Sequence, residues 1–212
     1  MPASALTADD SRNITGVLIT IEGIDGAGKT TLAAALAEEL GATLLREPGG
    51  VELSERIRDL VKDPALRVDP RAEALLYAAA RAQLVAERLW PLLDQGGTVV
   101  LDRFVDSSLA YQGAARGLGV EEVRRINDFG TGGMTPDVTF LLRVAPEEGR
   151  RRQGARGEEQ DRLEREDDAF FARIAAAYDE LAAADPARFR VLDATRPPGA
   201  VLADALDALP RT

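Results

Sequence analysis

The chain has 212 residues, 26 basic and 36 acidic side chains, a formal charge of −10, 45% apolar residues, and neither histidine nor cysteine. That length suits one domain around one sizeable core, and the composition excludes wholesale disorder, disulfides, and catalysis or zinc binding through thiolate or imidazole. Any metal must sit on oxygen, which favours magnesium, and the acidic total argues against a nucleic-acid coat.

In chain order, Met1 to Asn13 reads as a loose tail ahead of a single domain spanning 14–212. The tail lacks the apolar stretch of a signal peptide, and no later window approaches the about 18 apolar residues of a membrane span. A cytoplasmic location is therefore expected. Short β-rich runs at Val17 to Ile21, Thr43 to Leu45, Thr98 to Leu101, Val138 to Val144 and Phe189 to Leu192 alternate with helical patterns. The helical stretches are Lys29 to Leu40, Leu53 to Val61, Arg71 to Leu93, Val120 to Phe129, Asp167 to Ala184 and Ala200 to Leu209. This alternation predicts an α/β fold: a five-stranded, mostly parallel sheet with helices on both faces. Of the two lysines, Lys62 lies on an amphipathic helix and reads as a solvated surface charge.

Residues Gly23-Ile24-Asp25-Gly26-Ala27-Gly28-Lys29-Thr30 match the phosphate-binding pattern G-x-x-x-x-G-K-[ST], between a predicted strand and an alanine-rich helix. Glycines let backbone N–H groups converge on phosphate oxygens at a helix N-terminus. Lys29 then neutralises the β and γ phosphates, while the Thr30 hydroxyl is placed for magnesium. The run Thr98 to Leu101 ends on Asp102, a candidate magnesium-side carboxylate acting through water. Arg103 follows, able to grip a second phosphoryl group through two hydrogen bonds.

Residues Gly149 to Asp168 carry arginines and acids with almost nothing apolar between them. They fit either a solvated helix with internal ion pairs or a short lid, about 149–168, that brings arginines onto a polyanion. Neither lysine lies in an N-K-x-D guanine signature, which disfavours a regulatory GTPase; a partner-driven ATPase or a switch-type protein remains an alternative, as does a kinase for another nucleotide. The arginine-rich stretch tips the reading toward transfer between two bound nucleotides, which must exclude water and offset about six negative charges.

Six segments give the chain a wider resemblance: Glu22 to Thr31, Arg46 to Gly50, Leu76 to Arg81, Asp102 to Phe104, Ser107 to Gly113, and Asp161 to Glu164. Together they resemble the thymidylate kinase (dTMP kinase) family, over nearly the whole of Val17 to Leu209. The resemblance implies a P-loop NTPase fold of the nucleoside monophosphate kinase type, and ATP-dependent conversion of dTMP to dTDP with magnesium in a homodimer. It places Asp25 at the sugar 3′-hydroxyl, Glu47 and Pro48 on the substrate side, Tyr77 stacked on thymine and Arg81 at the base edge. Arg103 falls on the monophosphate, Ser108 and Gln112 on the pocket wall, and Tyr111 against the 2′ position. Thr31 belongs to the ATP loop, and Arg196 to a segment near adenine.

Two departures stand out. Gly26 replaces an arginine found in one branch of the family, so Arg150, Arg151, Arg152 or Arg156 is expected to meet the transition-state charge. Arg143 stands where an aspartate is frequent, a change expected to alter pairing by Arg103 or the lid.

Overall fold

The computed structural model describes residues 15–155, 157 and 160–210; the expected tail, Met1 to Asn13, and Arg156 lie outside the described residues. Strands β1 (Val17–Glu22), β2 (Thr43–Arg46), β3 (Thr98–Asp102), β4 (Val138–Arg143) and β5 (Phe189–Asp193) form one sheet in the order β2-β3-β1-β4-β5. Every pairing is parallel. The sheet is the expected one.

Burial explains the apolar strand sequences. Helices α1 (Lys29–Leu40), α8 (Asp168–Ala184) and α9 (Pro198–Asp207) pack with Ile19 and Ile21 into one core through Leu32, Phe170 and Val201. The neighbouring Leu18 points to the opposite face, where it joins Leu84 and Leu89 at the end of α3 (Pro70–Leu84) and beyond, and Leu93 of α4 (Trp90–Asp94). Successive side chains alternate faces, so one strand feeds two cores. The polar pair Thr20 and Thr139, fully buried, is satisfied by a 2.8 Å hydrogen bond between its hydroxyls.

The strand order reverses at β1, with β2 and β3 on one side and β4 and β5 on the other. Such a reversal opens a crevice beyond the carboxyl ends of the strands. The register brings Ile21, Asp102 and Arg46 level there, just before Glu22 leads into the phosphate loop.

Three segments differ from expectation. The helix read as Arg71 to Leu93 is divided: α3 gives way to a π-helical turn at Val85–Leu89 before α4. Pro91 has no N–H to give the carbonyl four residues back and its ring crowds it, so the ladder widens just upstream. A short helix α5 (Val105–Ser108), absent from the sequence reading, continues as π-helix through Leu109–Ala115. Its serine pair and Gly113 concealed the helical pattern. The charged stretch begins inside a helix, α7 (Pro146–Gly154), and ends in a turn that Asp167 closes by capping α8 through the Phe170 N–H at 2.7 Å. Helices α2 (Glu52–Lys62) and α6 (Val120–Thr131) flank α3.

Candidate active site

The loop between β1 and α1 is wound tightly enough that Gly26 takes φ +80°, a conformation side chains with a Cβ rarely adopt. A second constraint acts there: a Cβ on Gly26 would collide with the backbone of Gly149 in α7, and one on Gly149 would lie 2.7 Å from the Asp25 carbonyl. Two glycines thus let α7 rest on the phosphate loop, which explains why no arginine fits at position 26 in this arrangement.

Within the loop, the Lys29 ammonium donates to the Ile24 carbonyl at 2.7 Å and lies 3.9 Å from the Asp25 carboxylate. Burial and the charge of Arg103 pull Lys29 down to about 8, against the opposing pull of Asp25, Asp102 and Glu22. The Thr30 hydroxyl donates to Asp102 Oδ2 at 2.7 Å, so a hydroxyl and a carboxylate stand together at the start of α1. Among the described residues, no group of three or more His, Cys, Asp or Glu could hold a metal.

A cavity of about 220 Å³ opens beside this loop. It is lined by Asp25, Gly26, Gly28, Lys29, Thr30 and Thr31, with Asp102 and Arg103 from the end of β3. Opposite are Glu47 and Pro48 after β2, and Tyr77 and Arg81 from α3; the helix after β3 contributes Ser107, Ser108, Tyr111 and Gln112. The wider π-helical winding lets the adjacent Tyr111 and Gln112 both reach the cavity.

Arg103 is the electrostatic centre. Its guanidinium donates to the Gly23 carbonyl at 3.1 Å, Ser107 Oγ at 3.0 Å and Tyr111 Oη at 3.2 Å, pairs with Asp25, and lies over the Tyr111 ring. Burial alone would raise the Asp25 carboxyl, but Arg103 and Lys29 outweigh it and hold that group well below the usual carboxylate range.

Arg81, 2% exposed, is held by Glu47 Oε2 at 2.7 Å, Ser108 Oγ at 2.9 Å, the Phe104 carbonyl at 2.9 Å, and Asn127 Oδ1. Glu47 Oε1 is buried without a hydrogen-bond partner. Burial pushes the Glu47 carboxyl up to about 7, against the attraction of Arg81.

The model of the thymidylate kinase family matches residues 21–205. A thymidylate kinase of Deinococcus radiodurans is 51% identical over 187 residues, covering 86% of this chain and 90% of its own length. That of Lactobacillus helveticus is 47% identical over 190 residues, with 86% and 90% covered. The chain belongs to the thymidylate kinase family. The solved structure of thymidylate kinase from Ehrlichia chaffeensis shares the fold with a TM-score of 0.74 at 30% identity, over 91% of this chain and 97% of that one.

Against the thymidylate kinase pattern, the structure gathers most of the expected site residues around one cavity and leaves others outside it. Gly23, Ile24 and Ala27 are not among the lining residues; Ile24 and Ala27 are buried in the core below the loop. Arg150 is tied to Asp168 at 2.6 Å, Arg151 and Arg152 each to Glu148 at 2.7 Å, and none of the three lines the cavity. Arg152 also donates to the Ala194 carbonyl at 2.9 Å, joining α7 to the segment that carries Arg196. Arg196 itself pairs with Asp204 of α9. Arg143 is exposed and pairs with Asp179 of α8 at 2.6 Å rather than with Arg103 or the lid, because it ends a strand facing that helix.

Lys62 corrects the sequence reading. It is not a solvated surface charge: it lines the cavity and pairs with Asp161 at 2.7 Å. The amphipathic pattern was correct for α2, but its last turn meets the turn at 161–164, which leaves Lys62 only partly exposed. Arg162 fastens that turn further, donating to the Val61 carbonyl at 3.0 Å and pairing with buried Glu73 at 2.7 Å. Gln112 and Arg116 also reach Glu73.

Arg46, Arg58, Ser107, Asp161, Leu163 and Glu164 are further lining residues absent from the expected set. The segments Arg46 to Gly50, Ser107 to Gly113 and Asp161 to Glu164 had already marked five of these six positions. Arg58, on a helix surface by pattern, had no such signal.

Proposed function

We propose that this chain performs the thymidylate kinase reaction, ATP and dTMP to ADP and dTDP, across the phosphate loop, with dTMP in the cavity and the ATP tail held by the loop. A dTMP phosphate oxygen attacks the γ-phosphorus, the new P–O bond forms as the β–γ bridge breaks, and the bridging oxygen leaves on ADP. The acceptor phosphate is already anionic, so no protein base is required, in keeping with a chain that lacks histidine. Catalysis is positioning and electrostatics.

Lys29 neutralises the transferring group, Arg103 holds the dTMP phosphate and Asp25 meets the sugar. Tyr77 and Pro48 flank the base, Arg81 reads its edge, Ser108 and Gln112 line it, and Tyr111 crowds the 2′ position. Arg150, Arg151, Arg152 or Arg156 is recruited from the lid onto the donor phosphates, and Arg196 lies by adenine. The adjacent oxygens of Thr30 and Asp102 fit magnesium, which keeps water and phosphate ligands and needs few from the protein. When bound, that ion would offset negative charge on the transferring phosphates.

The observation that carries this reading is the convergence of Lys29 and Arg103 on one carboxylate, Asp25, all three lining the same cavity. Two cations so placed suit two phosphates that must meet. A coupled assay with dTMP, dUMP, dCMP, dGMP and AMP at fixed ATP tests it: dTMP should be the preferred acceptor. ATP hydrolysis indifferent to every monophosphate would refute it.

The fold is proposed to act as one domain with a lid over 149–168, in the cytoplasm and as a homodimer. No helix among the described residues is long and apolar enough to cross a membrane. Support for the dimer comes from three neighbouring helices that expose large apolar side chains: Leu53 and Leu60 of α2, Leu75 of α3, and Phe129 of α6, the last 93% exposed. Sedimentation of wild type at twice the monomer mass, lost in Phe129→Glu, is expected.

A further inference from the structure

Glu22, the last residue of β1, is fully buried and has no part in the reaction as described above. Four donors converge on its carboxylate. The Phe104 and Ser107 N–H groups reach Oε1 at 2.7 and 3.3 Å, and the Ser107 and Tyr178 hydroxyls reach Oε2 at 2.6 and 2.8 Å. Burial and the charge of Asp106 push this carboxyl up, against the opposing effects of the Ser107 hydroxyl, Arg103 and the Phe104 N–H.

What these donors surround is Arg103. Its φ of +71° is the only left-handed value at a non-glycine position among the described residues. The peptide on either side is pinned: the Arg103 N–H donates to the Ile21 carbonyl at 3.0 Å, and the next N–H, of Phe104, is the one Glu22 takes. An arginine in this backbone aims its side chain back across the end of β1, toward Gly23 and Asp25.

Glu22 also governs the hydroxyls that face the guanidinium. Arg103 Nη1 donates to Ser107 Oγ at 3.0 Å and lies 3.5 Å from Tyr178 Oη. Guanidinium is a donor only, so both oxygens must turn lone pairs to it and send their protons elsewhere. The two oxygens are 3.0 Å apart, and whichever shares its proton with the other, the chain of donors ends on Glu22 Oε2. A carboxylate, which only accepts, fixes that polarity.

We propose that Glu22 is a positioning residue for the phosphoryl acceptor: it holds the left-handed turn at Arg103 and orients Ser107 and Tyr178, so the guanidinium meets the dTMP phosphate already in place. This rests on the reading that Arg103 holds that phosphate. Glu22→Gln keeps the shape but must aim an amide N–H₂ at the two backbone donors or at the two hydroxyls, breaking the pattern either way.

Calorimetry with dTMP and with thymidine, which lacks the phosphate, separates positioning from general damage. Glu22→Gln should weaken dTMP by about tenfold to a hundredfold, as losing hydrogen bonds around a charged group does, and leave thymidine affinity within about twofold. In an Arg103→Ala background the same change should cost dTMP nothing further. Tyr178→Phe, which keeps the ring and removes one hydroxyl, should weaken dTMP alone by about twofold to fivefold, and decides the matter if Glu22→Gln fails to fold. Equal loss for thymidine, or undiminished dTMP affinity in both variants, overturns the positioning role. Wild-type dTMP affinity in Arg103→Ala would instead remove the underlying reading of Arg103.

Discussion

Two sets of arginines in this molecule illustrate two ways of holding a guanidinium. Arg81 is buried and Arg103 partly so, each with at least three hydrogen-bond partners fixed by strand ends and by the helix after β3. Arg150, Arg151 and Arg152 sit on α7 in pairs with nearby carboxylates, and Arg151 is 70% exposed. The first set is already held in place; the second, in the role proposed for it, would exchange carboxylates for phosphate oxygens. Pre-organised groups lower the cost of binding, while exposed pairs worth little in water are easily released to a better anion. On the proposed assignment of these residues, the acceptor side is fixed and the donor side is adaptable.

Substitutions can break that contrast, and Lys29 lies where the two sides meet. Lys29→Ala should lower kcat by about a hundredfold to a thousandfold, the scale of removing one pre-organised charge stabiliser, while dTMP affinity stays near wild type. Comparable loss of dTMP affinity would place Lys29 on the acceptor side instead. On the fixed side, Arg103→Ala should raise the KM for dTMP by about tenfold to a hundredfold. On the adaptable side, alanine at Arg150, Arg151 or Arg152 should cost about tenfold in kcat at the recruited position with the KM for dTMP unchanged. If turnover survives every one of these, including Arg156→Ala, the lid supplies no transition-state charge.

Smaller effects sharpen the picture. Gly26→Ala pushes a Cβ into Gly149 and strains a positive φ, so stability should drop by about 1–3 kcal/mol in a denaturant titration. The acceptor pocket should still bind dTMP. For pH, burial holds Lys29 at about 8 in the free enzyme, so its charge is complete below that value and lost above it. The pH profile of kcat/KM for ATP should fall above pH about 8. The linked stability runs the other way: between about 8 and the unfolded value near 10.5, the unfolded chain holds the extra proton, so stability rises with pH. Both trends should vanish in Lys29→Ala.

The sheet was legible in the sequence because both faces are covered, leaving near-continuous apolar runs that end on Glu22, Asp102 and Arg143. The phosphate loop was legible because its glycines and lysine do one job at one spacing. Arg103 could be placed from its neighbours, but not its left-handed backbone, which depends on contacts more than 80 residues away in sequence, with Glu22. Lys62 misled for a related reason: helical periodicity reports which face is polar, not whether that face meets water or an aspartate such as Asp161, 99 positions later. The contact between Gly26 and Gly149 is likewise tertiary. It shows why α7 can lie on the loop, a relation that no local pattern encodes.

The most direct test is a crystal structure with dTMP and a non-hydrolysable ATP analogue bound together. The dTMP phosphate should accept hydrogen bonds from Arg103, with thymine against Tyr77 and Arg81 and the analogue's β and γ phosphates on the loop at Lys29. A thymine nucleotide seated elsewhere, with Arg103 still turned to Asp25 and touching no phosphate, would contradict the account.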